Sequence, residues 1–159
     1  AYDLRPPGLD QLGLVKTLVL LCEDYSQSGA GLTIDFTAAG VDELDLGYEI
    51  EINLFRLIQE ALNNIKRHAD ASRVTIRLVA SSPDIVIRIK DNGKGFDLND
   101  RRRQAFKGKR MGLQSMVERV HLLQGKINVQ SSPGKGTYIL IEIPLKEKLR
   151  DFQEAHSDH

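Results

Sequence analysis

Two short apolar alternations constrain this chain more than any other feature. Val74, Ile76 and Leu78 alternate with polar residues, as do Ile85, Ile87 and Ile89, and Ser81, Ser82, Pro83 and Asp84 lie between the two runs. Period-two alternation fits strands buried on one face, and a short linker of turn formers joins such strands as an antiparallel hairpin. The intervening Arg73, Thr75, Arg77, Arg88 and Lys90 make the other face wet. A sheet built on hairpins is not all-parallel, because parallel neighbours need long crossovers.

The remaining pattern surrounds that hairpin with helices. Pro6, Pro7 and Gly8 delay a first helix, after which Leu9, Leu12, Val15, Leu18, Val19 and Cys22 recur at helical steps as far as Ser28 and Gly29. Leu32, Ile34 and Phe36 alternate as a strand. Ile50, Leu54, Leu57, Ile58, Ala61, Leu62 and Ile65 form the stripe of a second helix that begins among acids and stops near Ala69 to Ser72. Asp91 to Lys109 is rich in Gly, Asp, Asn, Lys and Arg and is expected to be a loop, the natural place for a lid. Leu113, Met116, Val117, Val120 and Leu123 mark a third helix with Gly125 as its C-terminal cap, and Ile127 to Gln130 with Gly136 to Ile143 form a last hairpin around Ser131 to Lys135. This order favours an α/β class, a two-layer α/β sandwich whose mixed, mostly antiparallel sheet carries helices on one face. Residues 9–145 form the domain, 1–8 a linker and 146–159 a polar tail.

Composition removes other classes. With 22 basic and 22 acidic residues in 159, net charge gives no reason to expect a nucleic-acid or membrane binder. The longest apolar run, Leu18 to Cys22, is far too short to span a bilayer. Cys22 is the sole cysteine, so no internal disulfide forms and the cytoplasm is the default compartment. A chain opening on Ala1 without a signal pattern reads as a domain cut from something longer, and the full protein can still be membrane-anchored through other segments.

Chemistry concentrates in a few places. Asp91, Asn92, Gly93, Lys94 and Gly95 follow a strand, where an Asp can turn inward and glycines let backbone approach a ligand, although the same residues also make ordinary turns. Glu60 and Asn64 lie four apart on one helical face, with Arg67 three further on. Oxygen donors beside a cation suit Mg²⁺ and phosphates, since Mg²⁺ takes few protein oxygens and keeps waters and phosphate oxygens. Gly108 and Gly112 flank the third helix start, where exposed amides attract phosphate, and Gly134 and Gly136 sit in the last hairpin.

In order, QEALNNIKRHA (59–69), DNGKGF (91–96), MGLQSM (111–116) and GKGT (134–137) resemble the asparagine box and the glycine boxes of the GHKL, or Bergerat, ATP-binding fold. More closely, the set resembles the catalytic and ATP-binding domain of two-component sensor histidine kinases. The form of the first box, with LRPPGLDQLGL (4–14), is similar to the subfamily whose response regulators carry a NarL or LuxR-type DNA-binding domain.

The resemblance implies roles. Asp91 would accept the adenine amino group, and Gly93 and Gly95 would let the chain pass close to the nucleotide. Asn64 would hold Mg²⁺, Glu60 stands where related ATPases place a water-activating base, and Arg67 stands where a phosphate-binding Lys is common. His68 matches a box histidine, either near the ligand or capping the helix end. Gly112 and Leu113 match the glycine box at the base of the lid, and Gly136 and Thr137 the box on the phosphate side. The implied ligands are ATP and Mg²⁺.

Two departures matter. Between Gly108 and Gly112 stand Lys109, Arg110 and Met111, where many relatives carry another glycine, and Arg67 replaces Lys with a different reach. A phosphoacceptor histidine followed directly by an acid is missing: Ala69, Leu122 and Ser157 follow His68, His121 and His156, and His159 is last. The acceptor is therefore expected on a separate helical dimerisation domain, with the domain itself monomeric and a NarL-type response regulator downstream. Alternatives are a nucleotide-sensing interaction module, another GHKL ATPase or serine kinase, and a nucleic-acid binder. The last would use Arg101, Arg102, Arg103, Lys107, Lys109 and Arg110, a run that reads better as a solvated lid or phosphate clamp.

Overall fold

The structure, a computed structural model, describes residues 6, 8–29, 31–100 and 111–145. The basic run from Arg101 to Arg110 and the tail over 146–159 lie outside these residues, as does the linker over 1–8 apart from Pro6 and Gly8.

Among the described residues, five strands form one sheet in the order β1-β2-β3-β5-β4. β1 (Thr33–Ala39) pairs parallel with β2 (Arg73–Ser81), the helix between them supplying the crossover. β2 with β3 (Asp84–Asp91), β3 with β5 (Thr137–Pro144) and β5 with β4 (Lys126–Ser131) are antiparallel. The hairpin expected from the two alternations is present, and its register aligns Ile76 with Ile89 and Ile139, and Leu78 with Ile87 and Ile141. These side chains are buried on one face, each contributing roughly 1.5–3 kcal/mol relative to exposure. The helices cover that face with Leu18, Leu54, Leu57, Ile58, Leu62, Met116 and Val120, so the two-layer α/β sandwich holds. Asp91 continues the inward series of Ile85, Ile87 and Ile89, and thus enters the helix-covered side at its edge.

Several boundaries differ from the expectation. The first helix is two, α1 (Leu9–Leu12) and α2 (Leu14–Gln27), because Gly13 at φ 83°, ψ 171° leaves the helical region. The second, α3 (Tyr48–Asn64), passes into a π-helical segment (Ile65–Ala69) before Asp70 turns left-handed. The wider π turn rotates the following side chains off the α-helical stripe. Within the expected loop, residues 98–100 are helical. The third long helix, α4 (Met111–Leu122), ends with Gln124, not Gly125, at positive φ. The Gly125 amide bonds the Val120 carbonyl at 2.9 Å and that of Gln124 bonds His121 at 2.9 Å, a Schellman closure with the glycine one place later than expected. Gly125 is required by packing instead, since a Cβ there would lie 2.5 Å from the Glu142 carbonyl oxygen. Among the described residues no helix is long and apolar enough to cross a membrane.

Candidate functional site

Asp91 is the deepest polar group at this edge, 6% exposed. Its Oδ1 accepts the Gly93 amide at 2.8 Å, and the Thr137 amide also donates to the carboxylate. Burial pushes its pKa up, and the two amides pull it partly back. A carboxylate offers about four acceptor positions, so two amides orient it and leave about two for further donors.

Around it the backbone is packed too closely for side chains. A Cβ on Gly93 would stand 2.2 Å from the Ala69 carbonyl oxygen, and one on Gly95 2.1 Å from that of Ser132. The Lys94 amide donates to Ala69 at 2.7 Å, and the Gly134 amide donates to the Lys94 carbonyl at 2.6 Å. The glycine loop is thereby stitched between the end of the π-helical segment and the last hairpin. Ser131 completes the seam: its Oγ accepts the Phe96 amide at 3.0 Å, donates to the Gly136 carbonyl at 3.0 Å and lies 2.9 Å from Thr137 Oγ1. Asn92 holds the opposite side, its Oδ1 accepting the amides of Ser72 and Arg73 at 3.0 and 2.9 Å. An open cavity at this end of the sheet is lined by Asp91, Ser131, Ser132, Lys135, Gly136 and Thr137 together with Lys90, Gln130 and Tyr138.

A second contact joins α3 to α4. Ser115 Oγ donates to Glu60 Oε1 at 3.0 Å, and Arg119 approaches the same oxygen at 3.7 Å. Arg119 also donates to Asn53 Oδ1 at 2.8 Å. Asn53 pairs with Arg119 and Glu60 with Ser115, so the helices run antiparallel, and Asn64, one turn beyond Glu60, points the series toward the start of α4 at Met111, Gly112 and Leu113. Free amides at a helix start favour an anion there.

Segments of all four boxes therefore touch: the first meets the second at Ala69 and the third at Ser115, and the second meets the fourth at Gly136. Within the first box the placement is uneven. Asn64 and His68 are half-buried, whereas Arg67 is exposed in the π-helical segment and its charge is felt at the Tyr25 phenol. Tyr25 bonds Asn63 Oδ1 and has Lys66 Nζ 5.8 Å from its ring centroid, so the cations of this box face α2 as much as the loop. Asn92, Ser115, Arg119 and Ser131 carry contacts of this site although the resemblance assigns them no role. Ser115 and Arg119 are four apart at polar positions of the third helical pattern, a spacing that marks them as a possible pair.

The residues fit a nucleotide with one hard cation. Asp91 keeps acceptor capacity, and Glu60 Oε2 is buried without a hydrogen-bond partner among the described residues. Those residues contain no cluster of three or more His, Cys, Asp or Glu able to hold a metal. A cation bound largely through phosphates needs no such cluster.

Residues 49–147 match the family described as histidine kinase-, DNA gyrase B- and HSP90-like ATPase, and the chain belongs to that family. Similar proteins include sensor kinases. The chain is 40% identical over 144 residues to the signal transduction histidine-protein kinase/phosphatase DegS of Brevibacillus brevis, covering 91% of this chain and 36% of that protein. It is 32% identical over 154 residues to the sensor histidine kinase LiaS of Bacillus subtilis, covering 97% and 40%. The chain thus spans little more than a third of the length of these relatives. The histidine kinase domain of a blue-light activated histidine kinase from Erythrobacter litoralis shares the fold with a TM-score of 0.65 at 24% identity, covering 84% of this chain and 62% of that one. The resemblance to histidine kinase ATPase domains, and the use of ATP that it implies, are thereby borne out.

Proposed function

We propose that the chain binds Mg-ATP between α3, α4 and the loop after β3, and presents the γ-phosphoryl group to a histidine on a separate helical dimerisation domain. The observation that carries this reading is Asp91, the one acid in an otherwise apolar inward series, oriented by two amides on a floor of glycines. An oriented carboxylate that retains acceptor capacity suits the exocyclic amine of adenine. Gly93, Gly95 and Gly136 let backbone lie against the nucleotide.

Asn64 would supply the protein oxygen to Mg²⁺, with Glu60 one turn earlier. When bound, the ion neutralises charge on the phosphates. Arg67 would reach phosphate from the exposed side, His68 would border the ligand, and Gly112, Leu113 and Thr137 would line its phosphate end. The chain's contribution is positioning and charge compensation, which dominate phosphoryl transfer. Residues 1–8 would lead to the dimerisation domain, a NarL or LuxR-type regulator would receive the phosphoryl group, and the domain would work in the cytoplasm.

The test is transfer. The chain is incubated with γ-labelled Mg-ATP and the helical phosphoacceptor segment of a relative such as DegS. Acid-labile, base-stable label on the acceptor supports the reading. Nucleotide binding without any transfer favours a nucleotide-sensing module instead.

A further inference from the structure

Glu60 is held by α4 on one side only. Its Oε1 takes the Ser115 hydroxyl at 3.0 Å and faces Arg119 at 3.7 Å, while Oε2 is buried and has no donor among the described residues. Leaving a buried carboxylate oxygen unpaired is costly, so such groups are retained where another molecule supplies the donor. Arg119 is itself anchored, since its other terminal nitrogen donates to Asn53 Oδ1 at 2.8 Å. Asn53 and Glu60 are two turns apart on α3, and Ser115 and Arg119 one turn apart on α4, so the four form a ladder across the helix pair.

We propose that Ser115 and Arg119 are positioning residues for Glu60: by occupying Oε1 they leave Oε2 as the oxygen that meets the attacking nucleophile. The proposal rests on the Mg-ATP reading above. In hydrolysis the water oxygen bonds the γ-phosphorus and the bond from that phosphorus to the bridging oxygen breaks. Its electron pair leaves on ADP, and the water proton passes to Oε2. Ser115 and Arg119 touch no reacting atom. They act by preventing the carboxylate from turning its bare edge away, and an unheld carboxylate loses orientation rather than nucleotide affinity.

The test measures steady-state Mg-ATP hydrolysis and calorimetric Mg-ADP affinity for the wild type, Ser115→Ala, Ser115→Thr, Arg119→Lys, Glu60→Gln and the Glu60→Gln/Ser115→Ala pair. Ser115→Ala is expected to lower kcat about tenfold with KM and Mg-ADP affinity within about twofold. Ser115→Thr, which keeps the hydroxyl, restores turnover, and Arg119→Lys gives a smaller loss, because the charge is kept although one ammonium cannot bridge both partners. On the Glu60→Gln background Ser115→Ala adds nothing. A Ser115→Ala variant with wild-type kcat, or one whose loss is equally large in the pair, overturns the proposal while leaving the nucleotide site intact. A wild type that binds no nucleotide overturns the underlying reading and this proposal with it.

Discussion

A side chain on Gly136 would place its Cβ 2.1 Å from the carbonyl oxygen of Asp91 on the neighbouring strand. That distance is between backbone-borne atoms, so no rotamer relieves it, and Gly136 also has φ +71°. The last glycine box is therefore a structural requirement of the second one. Gly136→Ala is expected to destabilise the fold by about 2–4 kcal/mol, read as a lower urea midpoint. Gly134→Ala also sits at positive φ but has nothing within 4 Å, and should cost only about 1 kcal/mol. Equal effects at the two positions would contradict the close-approach explanation.

Asp91 should trade stability for binding. Its raised pKa means that the folded state holds the proton more tightly than the unfolded chain. The group's contribution is therefore absent at neutral pH, grows as pH falls through the folded value, and is complete below the ordinary value of 3.8. Asp91→Asn removes that dependence. The variant is expected to match or exceed wild-type stability at pH 7 and to lose that advantage as pH falls toward 4, as measured by urea unfolding at both pH values.

Asn92, in the second box, is tied into the fold by its own side chain. Its side chain accepts two amides and donates to Ser72 Oγ at 2.8 Å. Asn92→Ala should cost about 1–2 kcal/mol, with Mg-ADP affinity reduced far less than by Asp91→Asn.

Cys22 should be inert until the chain unfolds. Burial, and then the charge of Glu23, push its thiol up to about 11 from 9.0. Two pH units of lost thiolate slow alkylation about a hundredfold. Iodoacetamide at pH 8 should therefore label it rapidly only in denaturant.

Most of the sheet was legible because its signal is local. The inward series Ile85, Ile87, Ile89 and Asp91 identifies strand, face and the exceptional acid in a single run, and the boxes could be read on their own residues. What escaped depended on other segments. Gly13 breaks the first helix although its neighbours keep helical spacing. Gly125 looks like a cap, yet its absent side chain is explained by Glu142 on β5, a partner 17 residues away. The π-helical segment was invisible because Ile65 to Ala69 carries no feature distinguishing five-residue from four-residue closure, and it moves Arg67 off the stripe shared by Glu60 and Asn64. Ser115 and Arg119 gain meaning only when α4 is laid against α3.

Under the proposed function, Asp91 selects adenine. The most direct test of that selection is calorimetric titration of the chain and of Asp91→Asn with Mg-ADP and a non-hydrolysable ATP analogue, with GTP as control. Micromolar-range binding of both adenine nucleotides is expected, with no comparable binding of GTP and a loss of about 1.5–3 kcal/mol of affinity in a variant that remains folded. Undiminished binding in Asp91→Asn, or none in the folded wild type, would contradict it.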